Sequence, residues 1–275
     1  MSEKSQMLYL ELLKKTLSFT LWPEPPIPVK AFNYLQPPLK RFWFSLLSRV
    51  LKLGQFQLVR DFHYKPAQRY EGQIWPSCAD TMIGMKRLDN LQAAIETVIR
   101  EGIEGDLIET GVWRGGACIF MRAVLAANDV QNRRIFVADS FQGLPEPDDK
   151  YALDQGDTHH QHRFLAVSRQ DVENNFRRYG LLDDKVVFLQ GWFKDTLPSA
   201  PIEKLSVLRL DGDMYESTMD ALIHLYPKLS SGGFCIIDDY ALPACRAAVN
   251  DFRAEHGITS TLHAIDWTGT FWRKD

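Results

Sequence analysis

Cysteine is scarce in this 275-residue chain, and the four present (Cys78, Cys118, Cys235, Cys245) are scattered with no Cys-x-x-Cys pair. That excludes a zinc knuckle or a disulfide scaffold and suits a reducing compartment, so a cytoplasmic location is expected. No apolar run approaches the roughly 20 residues needed to cross a bilayer. The N-terminus, MSEKSQMLYLELLKKTL, lacks the basic start, unbroken apolar stretch and small-residue cleavage site of a secretory signal. Positive charge is not in excess either. Lys and Arg number 32 against 35 Asp and Glu, a net charge of −3, so no global basic field attracts nucleic acid. Repeats and low-complexity tracts are missing. What remains, 45% hydrophobic and 24% charged residues, is an ordinary globular composition with ample core material.

Two zones divide the chain. Residues 1–80 are irregular, and TLWPEPPIPVKAFNYLQPP alone holds six prolines, which forbid a long helix or a central strand there. A short helical pattern (Leu8, Leu10, Leu12, Leu13, Leu17) precedes that tract. A basic amphipathic helix follows it, from Leu39 to about Phe62, with Phe42, Leu46, Val50 and Leu53 interleaved with Lys40, Arg41, Arg49 and Lys52. Its plainest reading is a helix docked on the domain or on a second subunit. A substrate-covering cap and a membrane-surface element are the alternatives.

Residues 81–275 are regular. A helix from Leu88 to about Glu101 leads into a strand over 106–109, a glycine cluster, and a helix from Ala117 to Ala127. A strand from Arg134 ends at Asp139, a polar loop spans Ser140 to about Phe164, and a helix runs from Ser168 to Tyr179. Strands Val186–Gln190 and Leu205–Leu210 come next, separated by a short helical segment. A helix from Ser217 to Leu229, a strand from Gly233 to Ile237, a helix from Pro243 to His256 and two terminal β-like runs complete the pattern. Such alternation predicts a mostly parallel sheet with helices on both faces, the terminal hairpin adding an antiparallel strand at or near its edge. Ligands of open sheets sit beyond the carboxyl ends of the strands, so the residues at those ends matter most.

The first such end reads Glu109-Thr110-Gly111-Val112-Trp113-Arg114-Gly115-Gly116. Glycines between a strand and a helix let a ligand approach the backbone and the helix N-terminus. The spacing is not the Gly-x-Gly-x-x-Gly of dinucleotide binders. Asp139 ends the next strand, where a carboxylate either accepts both hydroxyls of a ribose or caps a turn. Gly191-Trp192 after the third strand suits an adenine, although Trp and Phe are more often core residues. Asp211-Gly212-Asp213 and Asp238-Asp239 end two further strands. If those strands are neighbours, their carboxylates converge and repel unless a cation neutralises them, and an all-oxygen set fits Mg²⁺ or a similar hard ion. The ordinary alternatives are a helix cap at Asp213 and a solvated turn at Asp238-Asp239. His159, His160 and His162 fall in the long polar loop, which reads as a lid with a histidine touching substrate. His63, His224, His256 and His263 stand alone and read as structural.

Five segments together resemble the macrocin O-methyltransferase family: ETGVWRGG (109–116), ADSFQGLP (138–145), GWFKDTLP (191–198), RLDGDMYES (209–217) and IDDY (237–240). The resemblance runs from about Tyr9 to the end and is densest between Thr81 and Tyr240. It implies a Rossmann-like class I methyltransferase domain over 81–275, with a seven-stranded sheet holding one antiparallel strand, plus an N-terminal extension over 1–80. It implies S-adenosylmethionine as donor, Mg²⁺ assistance, and N-terminal segments at subunit contacts in a homodimer. Glu109, Gly111, Gly115 and Gly116 would border the methionine end, Asp139 with Ser140 the ribose, Gly191 and Trp192 the adenine, and Thr81 and Met82 both cofactor and substrate. Asp211, Asp238 and Asp239 match the family's metal ligands and Asp213 its general base, with His159, His160 and Tyr215 on the acceptor side.

The expected activity is methyl transfer to a hydroxyl of a sugar or glycosylated natural product, as in antibiotic biosynthesis. Such a hydroxyl is barely ionised near neutrality, so a bound cation and a carboxylate base answer its chemical need. The rivals are a metal-dependent catechol or phenol O-methyltransferase, a nucleotide-dependent oxidoreductase, and a non-catalytic protein that has kept the fold.

Overall fold

A computed structural model describes residues 2–61 and 65–275. Seven strands form one sheet: β1 (Asp106–Thr110), β2 (Ile135–Asp139), β3 (Val186–Gln190), β4 (Leu205–Leu210), β5 (Leu229–Ile237), β6 (His263–Ala264) and β7 (Thr270–Arg273). Their order is β3-β2-β1-β4-β5-β7-β6. The first five run parallel, and β7 pairs antiparallel with β5. The terminal hairpin therefore inserts its second strand against β5 and leaves the two-residue β6 outermost.

Helices α1 (Glu3–Leu17), α2 (Pro38–Leu53), α3 (Met85–Arg100), α4 (Gly116–Ala127), α5 (Arg169–Arg178), α6 (Tyr215–Leu225) and α7 (Pro243–Glu255) are the long ones. The pleat sends alternate strand residues to opposite faces. Leu107, Val137, Val207 and Ile236 enter one core with α1, α3, α4 and α5. Ile108, Ala138, Leu208 and Ile237 enter a second core with α6 and α7. Strands buried on both faces explain why these runs are continuously apolar rather than alternating.

The two N-terminal helices meet different fates. Leu10, Leu13 and Leu17 of α1 are buried in the first core. In α2 no residue is buried, and Leu39, Trp43 and Leu53 stand exposed. Docking of α2 on its own domain is therefore not observed. That helix ends at Leu53, before Gly54, rather than near Phe62. Phe62 and His63 lie outside the described residues. The helix expected over 217–229 instead spans Tyr215–Leu225, because the turn at Pro227 closes it and Leu229 already opens β5.

Candidate active site

Five adjacent strand ends lie level with one another. Gly111 N–H donates to the Ala138 carbonyl (2.9 Å), Asp211 N–H to Thr110 (3.0 Å), Asp238 N–H to Leu210 (2.8 Å) and Gly191 N–H to Asp139 (2.9 Å). The turn after β1 passes so close to the end of β4 that a Cβ on Gly111 would stand 1.8 Å from the Asp211 carbonyl oxygen. Gly111 also holds φ +79°, so only glycine fits there. Above these ends opens a cavity of about 440 Å³, a size suited to a small-molecule site.

Glu109, Gly111, Asp139, Ser140, Gly191 and Trp192 line one half of it, and Thr81 and Met82 complete that half. Asp139 accepts the Val112 and Phe141 N–H groups, both at 2.7 Å. Burial pushes its carboxyl up, and those two donors oppose the shift. Arg69 was not foreseen. Its guanidinium reaches the carbonyls of Thr81 (3.0 Å), Met82 (3.2 Å) and Ile83 (3.2 Å) and so holds that segment in place.

Gly115 and Gly116 do not line the cavity, contrary to expectation. Gly115 takes φ +82° beneath Val172, and a Cβ on Gly116 would meet the Asp80 carbonyl at 2.4 Å. Their smallness serves the close packing of α4 against its neighbours.

In the other half, Asp211, Asp213 and Asp239 bring one carboxylate oxygen each within 4.8 Å of one another. Asp213 holds φ +55°, an αL conformation that aspartate tolerates better than most residues. The usual capping role falls elsewhere. Asp154, from the loop after β2, accepts the N–H groups of Tyr215 (2.6 Å) and Glu216 (3.0 Å) at the start of α6. Burial and the charge of Asp211 push Asp213 up to about 7. Burial and the neighbouring Asp213 and Asp211 raise Asp239 well above the ordinary carboxylate range, and burial with Asp238 raises Asp211. Asp239 Oδ2 is buried with no partner.

Asp238 does not join this group. Its carboxylate is held by both Arg87 and Arg209. Asp238 follows Ile236 on the face that also carries Glu109 after Leu107 and Arg209 after Val207, which puts it within reach of Arg209. Arg209, fully buried, thus pairs with Glu109 and Asp238 and lies 3.0 Å from Asp211. Burial pushes Glu109 up to about 7 despite Arg209, and its Oε2 accepts from Cys118 Sγ at 2.8 Å. Arg87 adds a 3.0 Å bond to Asp266. The sequence signal for Arg209 was a lone cation in an otherwise apolar strand, with the same parity as two strand-end acids.

The acceptor-side expectations divide. His159 lines the cavity, its Nδ1 2.7 Å from Asp157 Oδ2. His160 does not line it. Tyr215 turns away from the cavity, its hydroxyl donating to Asp251 at 3.0 Å, because the start of α6 points that face toward α7. Trp75 and Trp267, neither of them foreseen, also line the cavity.

The sequence pattern of macrocin-O-methyltransferase (TylF) matches residues 6–274. A tetracenomycin enzyme of Streptomyces olivaceus, 8-demethyl-8-(2,3-dimethoxy-alpha-L-rhamnosyl)-tetracenomycin-C 4'-O-methyltransferase, is 50% identical over 99% of this chain and 95% of its own. Mycinamicin III 3''-O-methyltransferase of Micromonospora griseorubida is 53% identical over 79% of this chain and 87% of its own. The solved structure of the O-methyltransferase NovP superposes with a TM-score of 0.84 at 45% identity, covering 98% of this chain and 99% of that one. The calicheamicin methyltransferase CalS11, at 18% identity over 86% of this chain and 93% of its own with a TM-score of 0.54, shares the fold. By that match over residues 6–274 and by relatives at 50% identity and above, the chain belongs to the macrocin-O-methyltransferase (TylF) family and is an O-methyltransferase.

Proposed function

We propose that the protein methylates a sugar hydroxyl of a glycosylated small molecule, using S-adenosylmethionine and a hard divalent cation. Its relatives support the acceptor class: one is a methyltransferase of a rhamnosyl-tetracenomycin, another of mycinamicin III. The observation that carries the reading is the acidic group itself. Three carboxylates face a single cavity across from the glycine turn, and one of them has a buried oxygen without a partner. Oxygen-only donors that raise one another's proton affinity fit a Mg²⁺-like ion, which Asp211 and Asp239 would hold, leaving Asp213 beside it as the base. When bound, such an ion lowers the cost of negative charge on the acceptor oxygen.

The chain's own residues supply the rest. Asp139 holds the ribose and Gly191-Trp192 flank the adenine, so the donor lies along the ends of β1, β2 and β3. Asp213, whose carboxyl sits near 7, takes the acceptor's proton. His159, oriented by Asp157, contacts the sugar. The test is methyl transfer to a panel of deoxysugar glycosides and catechols, with Mg²⁺ and with chelator. Turnover of glycosides that chelator abolishes is expected. Full activity in chelator removes the cation from the reading, and preference for catechols removes the sugar.

A further inference from the structure

We infer that Trp75 and Trp267 form an aromatic clamp for the aglycone, selecting glycosides whose non-sugar part presents a flat ring. This rests on the sugar-methylating reading above and names what the sugar is attached to.

Both indoles line the cavity, yet they are 48% and 53% exposed, which places them at its rim rather than its floor. Both are fastened in place. The Trp267 indole N–H donates to the Glu71 carbonyl at 2.9 Å, and the Arg87 guanidinium lies 5.9 Å from its ring centroid. Its neighbour Thr268 donates to the Asp238 carbonyl at 3.1 Å, so the ring rides on the end of β5 beside Asp239. Trp75 packs against His162 (5.2 Å), Phe164 (5.0 Å) and His159 (6.2 Å), and His159 itself lines the cavity. The two supports are also joined, because Arg87 Nη2 donates to the Gly72 carbonyl at 3.2 Å.

Half-exposed tryptophan is expensive to keep in water and useful where an apolar ring is to be received. A hydroxyl undergoing methylation must reach the acidic group on the cavity floor. The part of the acceptor that meets rim indoles is therefore the part beyond the sugar. Trp192, by contrast, stands on the opposite half beside Gly191.

The test uses two probes with one sugar, 2-naphthyl α-L-rhamnoside and methyl α-L-rhamnoside. Their binding is titrated calorimetrically with S-adenosylhomocysteine and Mg²⁺ present. The wild-type protein should bind the naphthyl glycoside about tenfold more tightly than the methyl glycoside. Trp75→Ala and Trp267→Ala should each cut that ratio to about threefold or less, while Trp75→Phe and Trp267→Phe keep most of it. Should an alanine variant lose S-adenosylhomocysteine binding, the leucine variant at that position, which fills the space without an aromatic face, carries the comparison. A wild-type ratio near one, a ratio intact in both variants, or equal weakening of both glycosides overturns the clamp. Methyl transfer to neither sugar with the binding ratio preserved refutes the sugar-methylating reading alone.

Discussion

The two halves of the cavity are made from the same raw material, carboxylates at the ends of parallel strands, and they treat it differently. On the side of β1 and β2, Asp139 is met by two backbone N–H groups and Glu109 by Arg209 and Cys118. Those acids are satisfied by the protein itself. On the side of β4 and β5, Asp211, Asp213 and Asp239 crowd one another, and Asp239 keeps a buried oxygen with no donor. A half whose charges are answered is organised to hold a ligand by shape and hydrogen bonds. In the second half, among the described residues, only Asp211 is reached by a cation of the protein, Arg209 at 3.0 Å, and it is there that the proposed ion would sit.

Arg209 is the seam between the halves, and removing it should have the largest effect. Arg209→Met leaves Glu109 and part of Asp238 buried without their cation, and the loss should be about 3–5 kcal/mol of stability. Urea denaturation measures it, and a change under 1 kcal/mol would show that the buried network does not hold the strand ends together. Next comes a pair of substitutions that should part company. Asp139→Asn is expected to weaken S-adenosylhomocysteine binding by about tenfold to a hundredfold while Mg²⁺ binding persists. Asp239→Asn should do the reverse. Equal effects of both on both ligands would erase the division drawn above.

The smallest effect concerns pH. Because Asp213 is raised to about 7, it is protonated below that value, and a cation must displace the proton. Mg²⁺ affinity should therefore fall as pH drops from 8 to 6, by up to about tenfold for each proton displaced per pH unit below 7. Proton release on binding, read from calorimetry in buffers of different ionisation enthalpy, should be larger at pH 6 than at pH 8. A pH-independent affinity would place the cation elsewhere.

Much of this was legible before any coordinates. Strand–helix alternation located β1 to β5 because strands buried on both faces leave unbroken apolar runs, each closing on a polar residue. The acids at 211, 213, 238 and 239 stood out for that reason. Asp238 was expected among the metal ligands on residue type, and the structure pairs its carboxylate with Arg87 and Arg209. Counting from Leu107, Val207 and Ile236 puts Glu109, Arg209 and Asp238 on one face of three neighbouring strands. Gly115 and Gly116 were expected beside the ligand, and their close packing against Val172 and Asp80 could not be read from the sequence, where a glycine kept for packing and one kept for a ligand look alike.

Sequence alone determined the order of the elements, the position of the glycine turn and which carboxylates arrive at strand ends, since periodicity and turn chemistry are local properties. Which acids face each other, which are claimed by Arg87 and Arg209, and which tryptophans reach the cavity were decided only in three dimensions. Those partners lie up to 196 residues apart, as Trp267 and Glu71 do, and only the stacking order of the strands and the packing of α3 brings them together.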